Sequence, residues 1–157
     1  MKIILGSDHR GHELIEAIAA HLEGEGYQAH ALAGGSDGQA CDYPDQAYMV
    51  ATAVASGLAD RGVLVCGSGI GMSMAANKVD GVRAALVADV DAAVMSRKHN
   101  DANVLCLAAT RVGTELACTI ASAWLAEAFE GGRHERRVEK MAAIERGEDP
   151  AEMVANA

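Results

Sequence analysis

The chain has 157 residues, of which 50% are hydrophobic and 22% are charged, so it can bury one sizeable core and does not have the composition of a disordered tail. Its 13 Lys and Arg residues against 22 Asp and Glu residues give a formal net charge of -9, which opposes attachment to nucleic acid or to an anionic membrane. Aromatic residues make up only 3% of the chain, which argues against stacking platforms for single-stranded nucleic acid.

Short apolar runs alternate with longer amphipathic segments, a pattern typical of βαβ units that wind into a parallel sheet. The predicted strands span residues 2–7, 28–32, 62–66, 83–88 and 104–108. The predicted helices span residues 11–23, 44–56, 70–77, 91–99 and 113–129. The sequence therefore predicts an α/β fold with a five-stranded parallel sheet. A Gly-, Ser- and Asp-rich stretch over residues 33–41 predicts a surface loop.

An additional charged helix is predicted over residues 133–146. Its apolar stripe is so narrow that the helix needs a partner surface, such as another subunit. We therefore expect a single domain over residues 1–146, followed by a flexible acidic tail over residues 147–157.

The cysteine spacing and the first residues indicate a reduced, cytoplasmic protein. The four cysteines fit neither the CxxC pairs of zinc sites nor a dense disulfide framework, so free thiols are expected. No apolar run approaches the roughly 20 residues that span a bilayer, and Met1-Lys2 leads directly into the first strand without a signal-peptide core. We expect no membrane partner and no nucleic-acid partner.

Polar residues follow four of the predicted strands, at the edge where open α/β sheets bind ligands. Asp8 and His9 follow the first strand, residues 67–71 (GSGIG) the third, Asp89 the fourth and Arg111 the fifth. Because the carboxyl ends of parallel strands share one edge of the sheet, these residues predict the position of a binding site.

The glycine loop of residues 67–71 has the features of an anion site, because its backbone N–H groups approach a ligand without Cβ obstruction and a helix follows. A Walker loop is excluded because the motif needs a Lys that is missing here. A dinucleotide fingerprint matches less well, because Met72 stands where a third Gly or Ala belongs, but it stays a minor alternative because Asp89 lies at about the distance of a ribose-binding acid. A purely structural tight turn remains the alternative.

Cys66 and His99 are candidates for proton transfer. Cys66 ends a strand directly before the loop, where a helix N-terminus stabilises a thiolate; the alternative is a buried small hydrophobe. His99, beside Asn100 at a helix end, suits a general acid or base, or a cap of the helix dipole. Asp8 and His9 pair an acceptor with a donor at a strand end, although Asp8 also suits a helix N-cap.

The remaining histidines and the charged helix carry weaker signals. His12, His21 and His30 lack nearby partners and are interpreted as structural, and the absence of HxxxH and HExxH motifs predicts no metal site. Arg133 and Arg137 lie four residues apart on one helical face and suit a phosphate. They belong to a positive patch that includes His134 and Arg136. The alternative is a solvated face paired with Glu130, Glu135 and Glu139.

Together these residues offer a thiol base, an imidazole acid, a backbone oxyanion loop and an arginine clamp. That combination favours proton transfer next to the carbonyl of a phosphorylated sugar, with no redox cofactor or metal. Two alternatives from other classes remain open. One is a noncatalytic module that binds a phosphosugar or nucleotide, and the other is a Cys66-His99 thiol hydrolase.

Six motifs resemble the ribose/galactose phosphate isomerase family, which includes ribose-5-phosphate isomerase B and galactose-6-phosphate isomerase. They are residues 6–11 (GSDHRG), 42–45 (DYPD), 66–73 (CGSGIGMS), 77–78 (NK), 96–103 (SRKHNDAN) and 131–138 (GGRHERRV). The resemblance extends from Lys2 to about Glu145, and the motifs follow the family's order.

The resemblance implies a Rossmann-like three-layer αβα sandwich that forms a homodimer, with the last helix packing on the partner subunit and each active site using both subunits. Whether dimers pair into tetramers stays open. In such an enzyme Cys66 is the base, and Ser68 with the loop amides holds the enediolate oxygens. Met72 stands where some members carry a Glu base, which leaves the base role to Cys66.

The remaining roles also follow from the resemblance. It assigns His99 and Asp8 to ring opening, and His9, Arg133, Arg137 and Arg111 to phosphate. It assigns Tyr43, Asn100, Gly67, Gly69 and Gly71 to the sugar site. The implied reaction interconverts ribose 5-phosphate and ribulose 5-phosphate, as in the pentose phosphate pathway. Allose 6-phosphate, galactose 6-phosphate and a tetrose phosphate remain alternative substrates.

Overall fold

Five parallel strands form the central sheet of a computed structural model that describes residues 1–32, 34 and 40–153. The strands are β1 (Lys2–Ser7), β2 (Gln28–Ala31), β3 (Arg61–Cys66), β4 (Ala84–Leu86) and β5 (Val104–Ala108). Their order across the sheet is β2-β1-β3-β5-β4, and every neighbouring pair is parallel. The predicted five-stranded parallel sheet is confirmed.

Six helices accompany the sheet. They are α1 (His12–Gly24), α2 (Tyr43–Ala55), α3 (Ile70–Ala76), α4 (Val90–Asn100), α5 (Thr114–Ala126) and α6 (Arg133–Glu145). Most predicted bounds lie within one residue of the observed ones, and two ends differ by more than that. The fourth strand ends at Leu86 and not at residue 88, and α5 ends at Ala126 and not at residue 129, because Glu127 takes an extended backbone with φ -91° and ψ 140°.

Two apolar clusters, one on each face of the sheet, make the molecule a three-layer sandwich. On one face, side chains such as Ile18 of α1 and Trp124 of α5 pack against Leu5 and Leu105. On the other face, the cluster comes from α2, α3 and the sheet, with Val50, Leu64, Met72 and Cys106 among its members. The small aliphatic core expected from the composition is thus divided by the sheet into two halves.

The strand order fixes the place of the site. From β1 the chain crosses to β2 on one side, whereas β3 lies on the other side of β1, so the direction of winding reverses between β1 and β3. In open α/β sheets ligands bind at this switch point, outside the carboxyl ends of the strands. Here those ends are Ser7 and Cys66.

The C-terminal helix packs on α4, with His134 and Ala143 as its buried residues. Ile144 on the same helix is 61% exposed, and its packing on a partner subunit stays a prediction. After α6 the chain turns back, and the N–H of Glu148 donates to the carbonyl of Ala143.

The structure describes only part of the expected surface loop and of the expected tail. Residues 33 and 35–39 of the expected surface loop, and residues 154–157 of the expected flexible tail, lie outside the described residues. Among the residues that are described, no helix combines the length and hydropathy required to cross a membrane.

Candidate active site

A tight turn after β1 fixes the carboxylate of Asp8 beside the end of β3. The N–H of Asp8 donates to the carbonyl of Val65 at 3.2 Å, and Asp8 Oδ1 accepts from the N–H groups of Arg10 at 2.9 Å and Gly11 at 3.1 Å. A Cβ on Gly11 would lie 2.6 Å from the Val65 carbonyl oxygen, so only glycine permits this approach. Asp8 thus caps the turn that precedes α1, and the helix N-cap itself is Gly11.

The thiol of Cys66 accepts a backbone hydrogen bond from the loop that follows it. The N–H of Gly69 donates to Sγ at 3.1 Å, and Cys66 is 4% exposed. Gly69 has φ +72°, and a Cβ there would lie 2.4 Å from Leu86 Cδ1 and 3.0 Å from the Leu107 carbonyl oxygen. An N–H directed at the sulfur stabilises negative charge on it, which suits a group that accepts a proton.

The remainder of the loop is held from both sides. Thr110 donates to the Gly67 carbonyl from its N–H at 3.1 Å and from Oγ1 at 2.8 Å. A Cβ on Gly71 would lie 2.6 Å from the ring of Tyr43, so the predicted sugar-site Tyr lies directly against the loop. Ser68 is exposed, and its Oγ accepts from the N–H of Ile70 at 3.3 Å.

A cavity of about 320 Å³ opens beside this loop, between Ser68 and Arg111. Its other walls are apolar, from Ile70, Leu86 and Ala108 among others. Its volume lies at the lower end of the range of small-molecule sites. The structure therefore brings together Asp8, Cys66, Ser68, Tyr43 and Arg111 around the carboxyl ends of β1, β3 and β5, and we call this group the loop cluster.

His99 belongs to a second group, which we call the imidazole cluster: His99, Glu130, Arg133 and His134. The rings of His99 and His134 stack with centroids 4.1 Å apart and planes 3° from parallel. Glu130 Oε2 lies 3.9 Å from His99 Nε2 and 4.0 Å from His134 Nε2. The N–H of Glu130 donates to the carbonyl of Lys98, which holds the segment before α6 against the end of α4.

The charge state of His134 follows from its surroundings. Its side chain is 6% exposed, and desolvation lowers its pKa, as do the neighbouring charges of His99, Arg133 and Arg137. Arg133 Nε donates to His134 Nε2 at 3.3 Å, which requires that nitrogen to be the acceptor. His134 is therefore neutral at neutral pH, although the sequence placed it only in the positive patch.

The expected arginine clamp is exposed at the start of α6. Arg133 and Arg137 are both exposed. In the described part of the chain, no ion pair joins either of them to Glu130, Glu135 or Glu139. The exposure of both arginines agrees with the alternative of a solvated face, although the expected pairing with these carboxylates is not observed among the described residues. Phosphate binding by these two residues stays a prediction.

A buried ion network anchors the end of α4 that carries His99 and Asn100. Arg97 is 3% exposed, and its Nη1 donates at 2.7 Å both to Asp101 Oδ1 and to the carbonyl of Ala102. Arg83 Nη2 donates to Asp101 Oδ2 at 2.7 Å. Asp101 itself has φ +47°, the left-handed conformation that ends the helix. The ion pairs of Asp101 and its left-handed backbone therefore both fix the position and direction of the helix end.

Asn100 does not line the cavity beside Ser68. It lines a separate cavity of about 370 Å³ between β4, α4 and α6, together with Asn77, Met141 and Glu145. Across the residues with a described structure, no hydrogen bond, ion pair or ring contact joins the loop cluster to the imidazole cluster. One chain thus presents the predicted site residues in two groups.

Other histidine and cysteine interpretations have mixed outcomes. The expectation that His21 lacks a partner was wrong, because its Nε2 lies 2.8 Å from Ser122 Oγ and 3.3 Å from Glu25 Oε1. These contacts join α1 to α5 and leave its interpretation as structural in place. Burial raises the pKa of the Cys106 thiol, as expected for an inert core cysteine. All four cysteines are free.

His99, Glu130 and His134 are also the types of residue that ligate metals, and their nearest ligand atoms lie within 4.8 Å of one another. Motif spacing missed this trio because His99 lies on α4, far along the chain from Glu130 and His134. Its surroundings disfavour a cation, since Arg133 and Lys98 bring positive charge to His134 and Glu130. The lone pairs of the ring nitrogens lie in the ring planes, and the two planes are parallel and stacked. The two imidazoles therefore cannot both point a nitrogen at the same ion. The absence of a structural or catalytic metal stays a prediction.

Comparison with known proteins agrees with this architecture. A family model described as Ribose/Galactose Isomerase matches residues 3–141. The chain is 46% identical over 144 residues to ribose-5-phosphate isomerase B of Escherichia coli, which covers 92% of this chain and 96% of that protein. The chain belongs to the ribose/galactose isomerase family.

Two solved structures extend the comparison. The ribose-5-phosphate isomerase B of Clostridium thermocellum superposes with a TM-score of 0.89 at 47% identity, covering 94% of this chain and 99% of that one. The Mycoplasma genitalium ribose-5-phosphate isomerase B, solved with bound ribulose-5-phosphate, superposes with a TM-score of 0.87 at 40% identity, covering 92% and 96%. The Rossmann-like αβα sandwich is thereby confirmed.

Proposed function

We propose that this chain is an aldose–ketose isomerase that interconverts ribose 5-phosphate and ribulose 5-phosphate through an enediolate, with Cys66 as the base. The observation that carries the proposal is the Cys66 thiol at the switch point of the sheet, with the Gly69 N–H 3.1 Å from its sulfur. Family membership supports the reaction class, and the bound ribulose-5-phosphate of the Mycoplasma genitalium relative supports the substrate.

The proposed chemistry moves one proton from C2 to C1 and one from the C2 oxygen to the C1 oxygen, and it changes no overall oxidation state. The Cys66 thiolate removes the proton from C2 of the open-chain aldose, and the electron pair moves into the C1–C2 bond as the carbonyl oxygen becomes an enediolate oxygen. The same thiol returns the proton to C1, while the proton of the C2 hydroxyl passes to the former carbonyl oxygen at C1, so that C1 becomes a hydroxymethyl group and C2 the ketone. Ser68 and the N–H groups of residues 67–71 stabilise the oxygen charge that develops.

Ring opening and phosphate binding use the other residues. His99 protonates the ring oxygen while Asp8 accepts the proton of the anomeric hydroxyl. Arg133, Arg137 and His9 hold the phosphate, whose binding energy positions the sugar. The loop cluster and the imidazole cluster do not touch within one chain, and this separation supports a homodimer in which each site takes its loop cluster from one subunit and its imidazole cluster from the other.

Exposed apolar side chains near both clusters support such an interface. Ile70 is 54% exposed, Met74 65%, Leu86 40% and Met95 44%. Exposed large apolar side chains such as these are typical of subunit contacts, and Ile70 and Leu86 line the same cavity beside the glycine loop. We further propose a cytoplasmic location, because a thiol base must stay reduced and the four cysteines are free.

The test of the reaction is turnover of ribose 5-phosphate by purified protein, with Cys66→Ala in parallel. We expect ribulose 5-phosphate from the wild type and a loss of at least about a thousandfold in kcat for the variant. Full activity in Cys66→Ala would refute the thiol mechanism. Turnover of allose 6-phosphate or of a tetrose phosphate in place of ribose 5-phosphate would change the substrate and keep the reaction class. Saturable binding of all of these without product would favour the noncatalytic module.

Mixing two inactive variants tests the shared site. If sites combine two subunits, a Cys66→Ala chain and a His99→Ala chain form heterodimers with one intact site and one doubly damaged site. Random association then restores about a quarter of wild-type activity. If each site lies within one subunit, the mixture stays inactive.

A further inference from the structure

Arg10 places a guanidinium on the glycine loop, at a position that the proposed function leaves without a role. A Cβ on Gly67 would lie 3.0 Å from Arg10 Cδ and 3.7 Å from Arg10 Nη1. The side chain of Arg10 therefore covers the face of Gly67 that a larger residue would fill. Gly67 directly follows Cys66 in the sequence, so Arg10 covers the residue next to the candidate base.

The position of Arg10 is set by its backbone. Its N–H donates to Asp8 Oδ1 at 2.9 Å, in the same turn that Gly11 presses against the Val65 carbonyl. The Gly67 carbonyl is held from the other side by Thr110. The turn that carries Arg10 is thus anchored to β3, and the loop it covers is anchored to the residue that follows β5.

The charge of Arg10 is not neutralised by a neighbour. Over the described residues, no carboxylate lies within ion-pair distance of its guanidinium, whereas Arg83, Arg97 and Arg146 all pair with Asp or Glu. The residue is exposed, and a guanidinium stays protonated at every physiological pH. In a chain of net charge -9, a cation on the glycine loop that has no ion-pair partner among the described residues is a local attraction for anions.

We propose that Arg10 is an additional substrate-binding residue, which draws the anionic sugar phosphate to the Cys66 loop and stabilises its negative charge over Gly67. This inference rests on the proposed function for the identity of the substrate. It does not depend on Cys66 being the base, because the positive charge acts on any anion that enters the loop.

The binding arm of the test uses protein that cannot turn over its ligand. In a Cys66→Ala background, the Kd for ribose 5-phosphate is measured by calorimetry with Arg10→Met, Arg10→Lys and Arg146→Gln. Met retains the apolar stem of Arg10 without the charge, and Lys retains the charge. We expect Arg10→Met to raise Kd about tenfold, Arg10→Lys to stay within about threefold, and Arg146→Gln to have no effect.

The second arm is independent of isomerase activity. Alkylation of the Cys66 peptide by iodoacetate, which is anionic, and by iodoacetamide, which is neutral, is followed by mass spectrometry in chains that retain the thiol. We expect the rate ratio of iodoacetate to iodoacetamide to fall about fivefold or more in Arg10→Met and to survive in Arg10→Lys. The difference should shrink in 1 M salt, where the Debye length is about 3 Å.

The outcomes separate the two proposals. If Arg10→Met and Arg146→Gln behave alike in both arms, Arg10 only packs against the loop and the inference is overturned. If neither the wild type nor Cys66→Ala engages ribose 5-phosphate while the alkylation ratio depends on Arg10, the proposed substrate fails and the anion-binding role stands. If Cys66 reacts with neither reagent, the binding arm decides alone.

Discussion

The imidazole ring of His99 lies flat on that of His134, 4.1 Å from centroid to centroid and within 3° of parallel. His134 is the buried member of this pair, and its surroundings lower its pKa below the usual value of 6.5. Two protonated rings at this distance would repel each other, so the stack requires that at least one ring be neutral. His134 meets that requirement, because its surroundings favour the neutral ring.

The lowered pKa of His134 predicts a pH-dependent stability. The unfolded chain binds a proton to this residue near pH 6.5, whereas the folded chain resists it, so the unfolded state gains protons first as the pH falls. The stabilising contribution is present above pH 6.5 and is lost as the pH falls from 6.5 toward the folded pKa. Urea midpoints at pH 7 and pH 5 should therefore differ less in His134→Phe than in the wild type. His30→Gln, at an exposed position, should retain the wild-type difference in urea midpoint between pH 7 and pH 5. The same difference in all three proteins would contradict the assignment of this pH dependence to His134.

Gly69→Ala should damage both the fold and the thiol environment. Position 69 has φ +72°, and its Cβ would meet the immobile Leu107 backbone as well as Leu86. Gly81→Ala is a matched control, since Gly81 has φ +80° and a Cβ there meets nothing within 4 Å. We expect about 1–2 kcal/mol of destabilisation for the control, from the left-handed backbone alone. The loss at position 69 should be larger by at least about 1 kcal/mol. Denaturant titration measures both, and equal losses would show that the loop yields to the methyl group.

Arg97 and Arg83 both contact the carboxylate of Asp101, but Arg97 is more deeply buried. Replacing Arg97 should therefore lower the free energy of unfolding more than replacing Arg83. Arg97 has a side chain that is 4% exposed and Arg83 one that is 25% exposed, while both bind Asp101 at 2.7 Å. Arg97→Met should cost about 3 kcal/mol, because it leaves the Ala102 carbonyl and part of the carboxylate without a donor. Arg83→Met should cost about 1 kcal/mol or less. Thermal and urea unfolding check the order, and a larger loss for Arg83 would refute it.

Chelation should leave turnover unchanged. The trio of His99, Glu130 and His134 has metal-ligating atoms, but the stacked rings and the adjacent arginine oppose coordination. Protein dialysed against EDTA is therefore expected to retain its kcat with ribose 5-phosphate. The trio would be a metal site if chelation removed activity and Zn²⁺ restored it in the wild type but not in Glu130→Gln.

The fold was predictable because its signals are local. Apolar periodicity and glycine punctuation located five strands and six helices to within a few residues, since each signal lies inside the segment it describes. The two misplaced ends depend on tertiary contacts. The side chain of Glu127, for example, lies 3.5 Å from Lys98 of α4, beyond the point where α5 ends.

The site was predictable only where chemistry follows a strand. Asp8, Cys66 and Arg111 were located from the edge of the sheet that they share. The pairing of His99 with His134 was not, because 35 positions separate the two residues and no motif spacing connects them. Arg10 covers Gly67 because its side chain points toward the loop, and sequence periodicity does not predict that direction.

The bonds from Thr110 to the Gly67 carbonyl have a consequence for the order of assembly during synthesis. They join the loop after β3 to the residue that follows β5. A nascent chain that has emerged only as far as α4 already contains Asp8, Cys66 and Gly69, yet it lacks the donors that hold this loop. The loop therefore reaches its final shape late, after β5 has docked beside β3, and the Cys66 thiol meets its final surroundings only in a chain whose sheet is complete.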